Sequence, residues 1–539
     1  MMRHSLLGFP LLFVCIACTP EEPAPTEAAL SALSSADDLE RAKAAESLRN
    51  LVFLAKEIPG AKETILEAFA VPGPHRSPLA AVLAEGWGLE VMPVLTKGLN
   101  PGGLVPATSK EEALNAANRS ILTGMKQLLR KGEKLPAETI DEVIPYVNSG
   151  NAQTALVAIR VVGMLQNKKG TKVLLDVIED HDNNFIIKNA IMALGDLRDP
   201  KAADTLITYL FKERGVSFYP EASFSLYQMR MHPVVVEKLA QTFEGKNKVA
   251  NGLIQGSKLC QDSKDKVCWV LRSKVGEVLS DIGLTEAQVT MFDKVISPKA
   301  NQTMVFKLVE AMGRTGESFA IKTIMKQLNN LTVREYFGRS IARIGDRQAA
   351  LKLLRQGAPN KYRQDCKSMG YDEKNCNKSE VEIRRFTIEN AARAGDNRVT
   401  AELEKMVRAE TNGKVRMMME GQLRKVRIYD KCQADAVCYR KLLSSDDPLI
   451  REKAAYELAY LKDEGSREEL LKTIRSEVDN TNESRFAKFW ALWRLGGSKG
   501  ISTIEQVIED DQGNRDYARL VYEFRLLEDQ MRYQRSQKK

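Results

Sequence analysis

Ala190-Ile191-Met192-Ala193-Leu194-Gly195-Asp196-Leu197-Arg198-Asp199-Pro200-Lys201-Ala202-Ala203-Asp204-Thr205-Leu206 is the stretch whose reading decides the fold. Its apolar residues recur at helical spacing as far as Leu194, and a Gly-Asp pair reads as a turn. Asp199-Pro200 then starts a second helix, because an aspartate caps free N–H groups and a proline pre-sets φ for the first turn. Small Ala193 and Gly195 let the two helices approach closely. One such pair leaves apolar faces open on both sides, so it needs neighbours of its own kind.

The pattern recurs. A turn glycine is predicted at Gly163 in Val161-Val162-Gly163-Met164-Leu165, at Gly283 after Asp281-Ile282, and at Gly313 in Ala311-Met312-Gly313-Arg314. It returns as Gly345 before Asp346, Gly395 before Asp396, and Gly496 after Leu495. Gly163 to Gly195 is a step of 32 residues, Gly283 to Gly313 one of 30, and Gly313 to Gly345 one of 32. Weaker units fit near Leu226, near Leu423 and at Glu457-Leu458-Ala459-Tyr460-Leu461. Two longer steps, of about 55 residues up to Gly283 and of 50 from Gly345 to Gly395, point to insertions near 243–268 and 358–380. Insertions in a repeat array map to loops.

These residues resemble a HEAT-type α-solenoid, closest to the short form found in bilin-lyase-like repeats, whose hallmark A-L-G-x-L-x-D-P-x-A is matched by residues 193–206. The resemblance implies an all-α, right-handed solenoid of stacked antiparallel helix pairs with stapled loop insertions, running over 151–514. Residues 37–150 are helical but less regular, either degenerate repeats or an N-terminal cap, and 515–539 read as a capping helix with a basic tail. The Gly-Asp turns followed by arginine (Asp196 and Arg198, Asp346 and Arg347, Asp396 and Arg398) look like the Asp/Arg ladder of such repeats, which holds helix ends together.

The N-terminus bears on location. Arg3 and His4 precede an apolar run from Leu6 to Ala17, too short to span a bilayer core of roughly 30 Å. Residues 1–17 read as a signal peptide. Ala17-Cys18 resembles the lipidation site of a bacterial lipoprotein signal, although Cys15 stands where that family usually has Leu. The resemblance implies a lipid anchor on Cys18, and Thr19 after it implies the outer membrane. The other reading is an ordinary secretory signal cut after Ala17, leaving a soluble exported or periplasmic chain. Residues 18–36, rich in Pro and Glu, are predicted to form a flexible tether.

The remaining cysteines agree with export. Cys260 and Cys268, Cys366 and Cys376, and Cys432 and Cys438 form three close pairs in polar surroundings, read as three short-range disulfides. No histidine stands close to any pair, which argues against zinc.

The 539-residue chain is 43% hydrophobic, 28% charged and 6% aromatic, a balance that favours helices over a β-sandwich. Asp180-His181-Asp182 could suggest a metal or general base, but it falls at a turn where Asp and Asn cap helices. His232-Pro233 is another turn, and His75 lies in the proline-rich loop around Pro72-Gly73-Pro74. The chain contains no G-x-S-x-G, no H-E-x-x-H and no phosphate-cradling glycine loop, so no catalytic, cofactor-binding or metal residues are predicted. Phe486, Phe489, Trp490 and Trp493 form a stripe at the spacing of a buried helix face.

Charge adds little. Lys plus Arg number 80 against 71 Asp plus Glu, a net +9, and basic clusters such as Lys126-Gln127-Leu128-Leu129-Arg130-Lys131 and Lys414-Val415-Arg416 read as solvated helix faces. Neither nucleic acid nor a small-molecule substrate is expected. The combined reading is an envelope lipoprotein scaffold or assembly factor, not an enzyme, binding an envelope protein through its concave face. Direct binding of envelope glycan or lipopolysaccharide is the alternative. A lyase-like enzyme is the remaining possibility, and repeat resemblance alone transfers no activity.

Overall fold

The computed structural model describes residues 24–100, 109–261, 268–293, 302–476 and 482–495, together with Arg525. The described residues are helical apart from turns and one isolated bridge between Glu213 and Ser217. Two compact units meet at Leu197/Arg198 in the chain.

The first unit begins with helices α1 (Pro25–Ala32) and α2 (Asp38–Asn50). Then come α3 (Arg76–Trp87), α4 (Ser109–Arg130), α5 (Ala152–Met164), α6 (Lys169–Asp180) and α7 (Asn184–Leu197). Helices α2, α3, α4, α5 and α7 pack each on the next, and α6 packs on α7 as the outer partner. The stack therefore runs back through residues 37–150, where regularity in the sequence is low.

The flexible tether expected over 18–36 ends early. A proline in the first turn of α1 and the spacing of Thr26, Ala29, Leu30 and Leu33 build a short helix whose inner face is buried. Cys18 and the signal segment lie outside the described residues, as do Gly496 and, apart from Arg525, residues 515–539.

The second unit repeats the arrangement. Its inner series is α8 (Tyr219–Gln228), α11 (Trp269–Ile282), α12 (Gln302–Thr315), α13 (Arg334–Ile344), α16 (Glu373–Arg393), α18 (Gly413–Cys432), α19 (Pro448–Leu461) and α20 (Asn482–Leu495), each packing on the next. Outer partners include α9 (Pro233–Glu244), α14 (Arg347–Gln356) and α17 (Asn397–Ala409), and the inserted helices are α10 (Lys248–Gly256) and α15 (Pro359–Ser368). Asp199 starts the unit as predicted, accepting from the Lys201 amide at 3.1 Å to cap the turn Pro200–Ala202.

The structure corrects two expectations. Gly163, Gly195 and Gly313 are not turn residues; each lies in the last turn of an inner helix. A Cβ at Gly163 would stand 2.6 Å from the Ala193 carbonyl oxygen, and one at Gly313 would stand 2.5 Å from Ser340 Oγ. Gly163 and Gly313 mark where one inner helix crosses the next at close range. Gly345, with φ +82°, is a turn glycine in the predicted sense.

The two insertions, expected as loops, carry helices. Residues 248–256 form α10, and 359–368 form α15, which packs against the start of α16. Proline at the start of α15 and the Asp372 cap of α16, accepting from the Asn375 amide at 2.7 Å, account for the helical form. Cys260–Cys268, Cys366–Cys376 and Cys432–Cys438 are bonded, with Cα separations of 5.3, 6.0 and 5.6 Å. Residues 262–267, inside the first of these spans, are outside the described set.

Candidate functional site

Successive inner helices α8, α11 and α12 enclose a cleft of about 290 Å³. Tyr219, Ser223 and Tyr227 stand four residues apart on α8 and so line it along one helix face, with Phe224 beside them and exposed. Helix α11 contributes Glu277, Val278 and Asp281, and α12 contributes Lys307. The Tyr219 hydroxyl donates to Glu277 at 3.2 Å, and the Lys307 ammonium lies 2.9 Å from the same carboxylate. The Lys274 ammonium stands 5.6 Å from the Tyr219 ring centre.

The electrostatics follow from enclosure. Burial, helped by the neighbouring Glu277 charge, pushes the Tyr219 hydroxyl well above its usual range. Burial also raises Asp281, against the charges of Lys307 and Arg314, which pull it back down. Tyr227 is only 9% exposed and its ring is flanked by two guanidinium groups, Arg230 at 4.3 Å and Arg525 at 5.4 Å. The Tyr227 hydroxyl is buried with no hydrogen-bond partner. Two carboxylates, Glu277 and Asp281, face two cations, Lys307 and Arg525, across the lining, and the aromatic faces of Tyr219 and Tyr227 can stack on a cationic group.

A second concentration of polar chemistry lies where α19 and α20 cross the ends of α12, α13 and α16. Arg347 grips Glu457 with two hydrogen bonds of 2.8 and 2.6 Å and donates to the Ala394 carbonyl at 2.8 Å. Lys453 pairs with Glu457 at 2.7 Å and donates to the carbonyls of Arg393 and Gly395 at 3.0 and 2.7 Å, capping the end of α16. Glu452 accepts from both Arg393 and Lys425. Arg494 donates to the Gly316 carbonyl and Tyr460 to that of Ala342.

Burial acts against every charge in this core, and the partners decide the outcome. Glu452 is pushed up by burial, but Arg393 and Lys425 outweigh that and hold it at about 2. Lys453 is pulled down to about 8 by burial in spite of Glu457. Each group here is tied to another protein group, so the network is read as architecture that joins helices distant in sequence.

The residues singled out by sequence have plain placements. Phe486, Phe489, Trp490 and Trp493 are buried, with the two indoles stacked 4.6 Å apart. Asp346 caps α14 through the Ala349 amide at 2.7 Å, and Asp396 caps α17 through the Arg398 amide at 3.0 Å. Asp196 lies 3.5 Å from Arg160. His181 Nδ1 accepts from the Asn183 amide at 3.0 Å, closing the turn. His75 is buried with Nε2 3.1 Å from the Ala68 carbonyl, and burial lowers its pKa.

Among the described residues no three His, Cys, Asp or Glu side chains gather at metal distance. The α8–α11–α12 cleft was missed by sequence reading. The signal that could have found it is the four-residue spacing of Tyr219, Ser223 and Tyr227 beside that of Glu277 and Asp281.

Residues 140–214 match the family of HEAT repeats. No curated protein sequence matches the chain. Among solved structures, importin beta crystallised in polyethylene glycol is 13% identical, over 94% of this chain and 76% of its own, with a TM-score of 0.41. The karyopherin Kap121p bound to the extreme C-terminus of the phosphatase Cdc14p is 10% identical over 92% of this chain and 57% of its own, at 0.33. A chain from a study of cadherin and beta-catenin is 10% identical over 93% and 100%, at 0.30. These low-identity likenesses do not bear on what this chain binds. Each unit is all-α with its inner helices stacked in series, as in an α-solenoid, and residues 140–214 are similar to HEAT repeats.

Proposed function

We propose that the chain is an exported scaffold of a bacterial cell envelope, held to the outer membrane by lipid on Cys18, whose stacked helices bind another envelope protein. The observation that carries the binding role is the cleft built jointly by α8, α11 and α12, a surface that exists only because successive repeats stack. Export is supported by the three bonded cysteine pairs, since disulfides persist in oxidising compartments. A binding role needs no catalytic group, and the buried charges of the C-terminal core are all engaged in holding helices together.

Two measurements test this. Fractionation of cells carrying Cys18→Ala should move the protein from membrane to soluble fraction; retention in the membrane overturns the lipid anchor. In-cell crosslinking with purification from the envelope should return a reproducible protein partner, whereas recovery of glycan or lipopolysaccharide alone overturns the protein scaffold in favour of a polymer binder.

A further inference from the structure

The α8–α11–α12 cleft has a feature that scaffolding alone does not require. Its volume of about 290 Å³ suits one long side chain rather than a stretch of polymer. Glu277 is engaged by Lys307 and Tyr219, and Asp281 adds a second carboxylate one helical turn away. The Tyr227 hydroxyl, more than nine-tenths buried, has no hydrogen-bond partner, and the Tyr227 ring presents a face to a cation. That face is met by Arg525, the described residue of the C-terminal segment, which itself lines the cleft.

We infer that the cleft is a receptor for one arginine side chain carried on an apolar segment of a partner protein, and that Arg525 fills its mouth in the resting chain. A guanidinium is planar, carries five donors and stacks on aromatic faces, so it can lie on the Tyr227 ring while donating to the Asp281 carboxylate and the Tyr227 oxygen. An ammonium has three donors and no flat face, and with Glu277 paired to Lys307 the charge left to a ligand is that of Asp281. In the sequence Arg525 is flanked by Leu520, Val521, Phe524, Leu526 and Leu527. A partner segment of the same chemistry would compete with it. The inference rests on the protein-scaffold reading and gives that partner a chemistry.

The test uses a dye-labelled peptide copy of residues 518–532 and the full-length chain, read by fluorescence anisotropy. The peptide should bind the Arg525→Ala chain about tenfold more tightly than the wild type, because the internal arginine no longer competes. Adding Asp281→Asn or Tyr227→Phe to that chain should weaken binding about tenfold. A peptide with Arg525→Gln should not bind, and this arm leaves the folded chain untouched. Equal affinity for wild-type and Arg525→Ala chains, or for both peptides, overturns the inference. Failure here while a protein partner is still captured in cells removes the arginine receptor alone. Peptide binding with no protein partner in cells removes the scaffold reading alone.

Discussion

The first unit and the region from Arg314 to Lys488 are built as the same kind of helix stack by opposite chemistry. Among the described residues of the first unit no Asp, Glu, Lys or Arg is buried; its core is mainly Ala, Val, Ile and Leu, as at Ala155, Ile159, Val162, Ile187 and Leu194. In the later region Arg334, Arg343, Asp365, Arg384, Arg393, Glu410, Lys425, Glu452, Lys453 and Glu457 are all buried. Aliphatic faces pack wherever shapes fit and favour the next helix in sequence. Ion pairs are directional and costly when mismatched, so they can fix a contact between helices far apart in the chain. Arg347 and Glu457 are 110 residues apart, and through them α19 lies across the ends of α13 and α16.

Removing one member of that network should give the largest effect. Glu457→Ala leaves Arg347 and Lys453 facing each other in a closed core, and a buried pair broken on one side typically costs about 3–5 kcal/mol. Denaturant unfolding should report the loss. Peptide-resolved hydrogen exchange should place it in α13, α16 and α19 and leave α5 and α7 protected. Uniform loss of protection through both units would show that the two regions do not differ energetically.

Acid should separate the two regions next. Glu452 has its ordinary value of 4.5 when unfolded and about 2 when folded. A depressed carboxylate contributes stability that is fully present above its unfolded value and is lost as pH falls through the folded one. The window is therefore pH 4.5 down to 2, and the shift is on the order of 3 kcal/mol. Protection of α18 and α19 should collapse across that window while α5 and α7 hold, and Glu452→Gln should start lower at neutral pH and lose the steepness. An acid profile unchanged by Glu452→Gln would remove this carboxylate as the cause.

The contrast explains what the sequence disclosed. Repeat period, the Asp199-Pro200 start, the cysteine pairs and the buried Trp490 stripe are local patterns, and local patterns are legible. Helix α19, by contrast, reads Glu452-Lys453-Ala454-Ala455-Tyr456-Glu457, like a solvated charged helix, yet both its charged and apolar faces are enclosed. Its partners come from α13, α16, α18 and the first turn of α14, and no spacing within α19 announces them. The cleft was hidden for the same reason, since Tyr219, Glu277 and Lys307 meet only after three units stack. The repeated glycine was visible but its task was not: the same residue serves a turn at Gly345 and a helix crossing at Gly163.

The aliphatic stack has its own sensitive point, of intermediate size. Gly163→Val would drive a branched side chain into the Ala193 backbone, and overpacking of this kind costs about 1–3 kcal/mol. The loss should fall in α5 and α7, the reverse of the Glu457→Ala pattern. Wild-type stability in Gly163→Val would mean that the crossing is looser than the backbone distances require.

The smallest effect sharpens the comparison from the side of charge. Lys169 and Asp141 in the first unit lie 2.7 Å apart, as close as Lys453 and Glu457, but more than half of each side chain is in solvent. Water already solvates both groups, holding two long side chains together has an entropic cost, and exposed pairs contribute only about 0.2–1 kcal/mol. Lys169→Met should therefore shift the unfolding midpoint little, and less at high salt, where screening removes what remains. Lys453→Met keeps the length of the side chain but abandons Glu457 and the carbonyls of Ala392, Arg393 and Gly395, so its cost should be several times larger and nearly independent of salt. Equal costs for the two substitutions would mean that distance alone sets the worth of an ion pair in this stack, and that enclosure, the one property separating its two regions, does not.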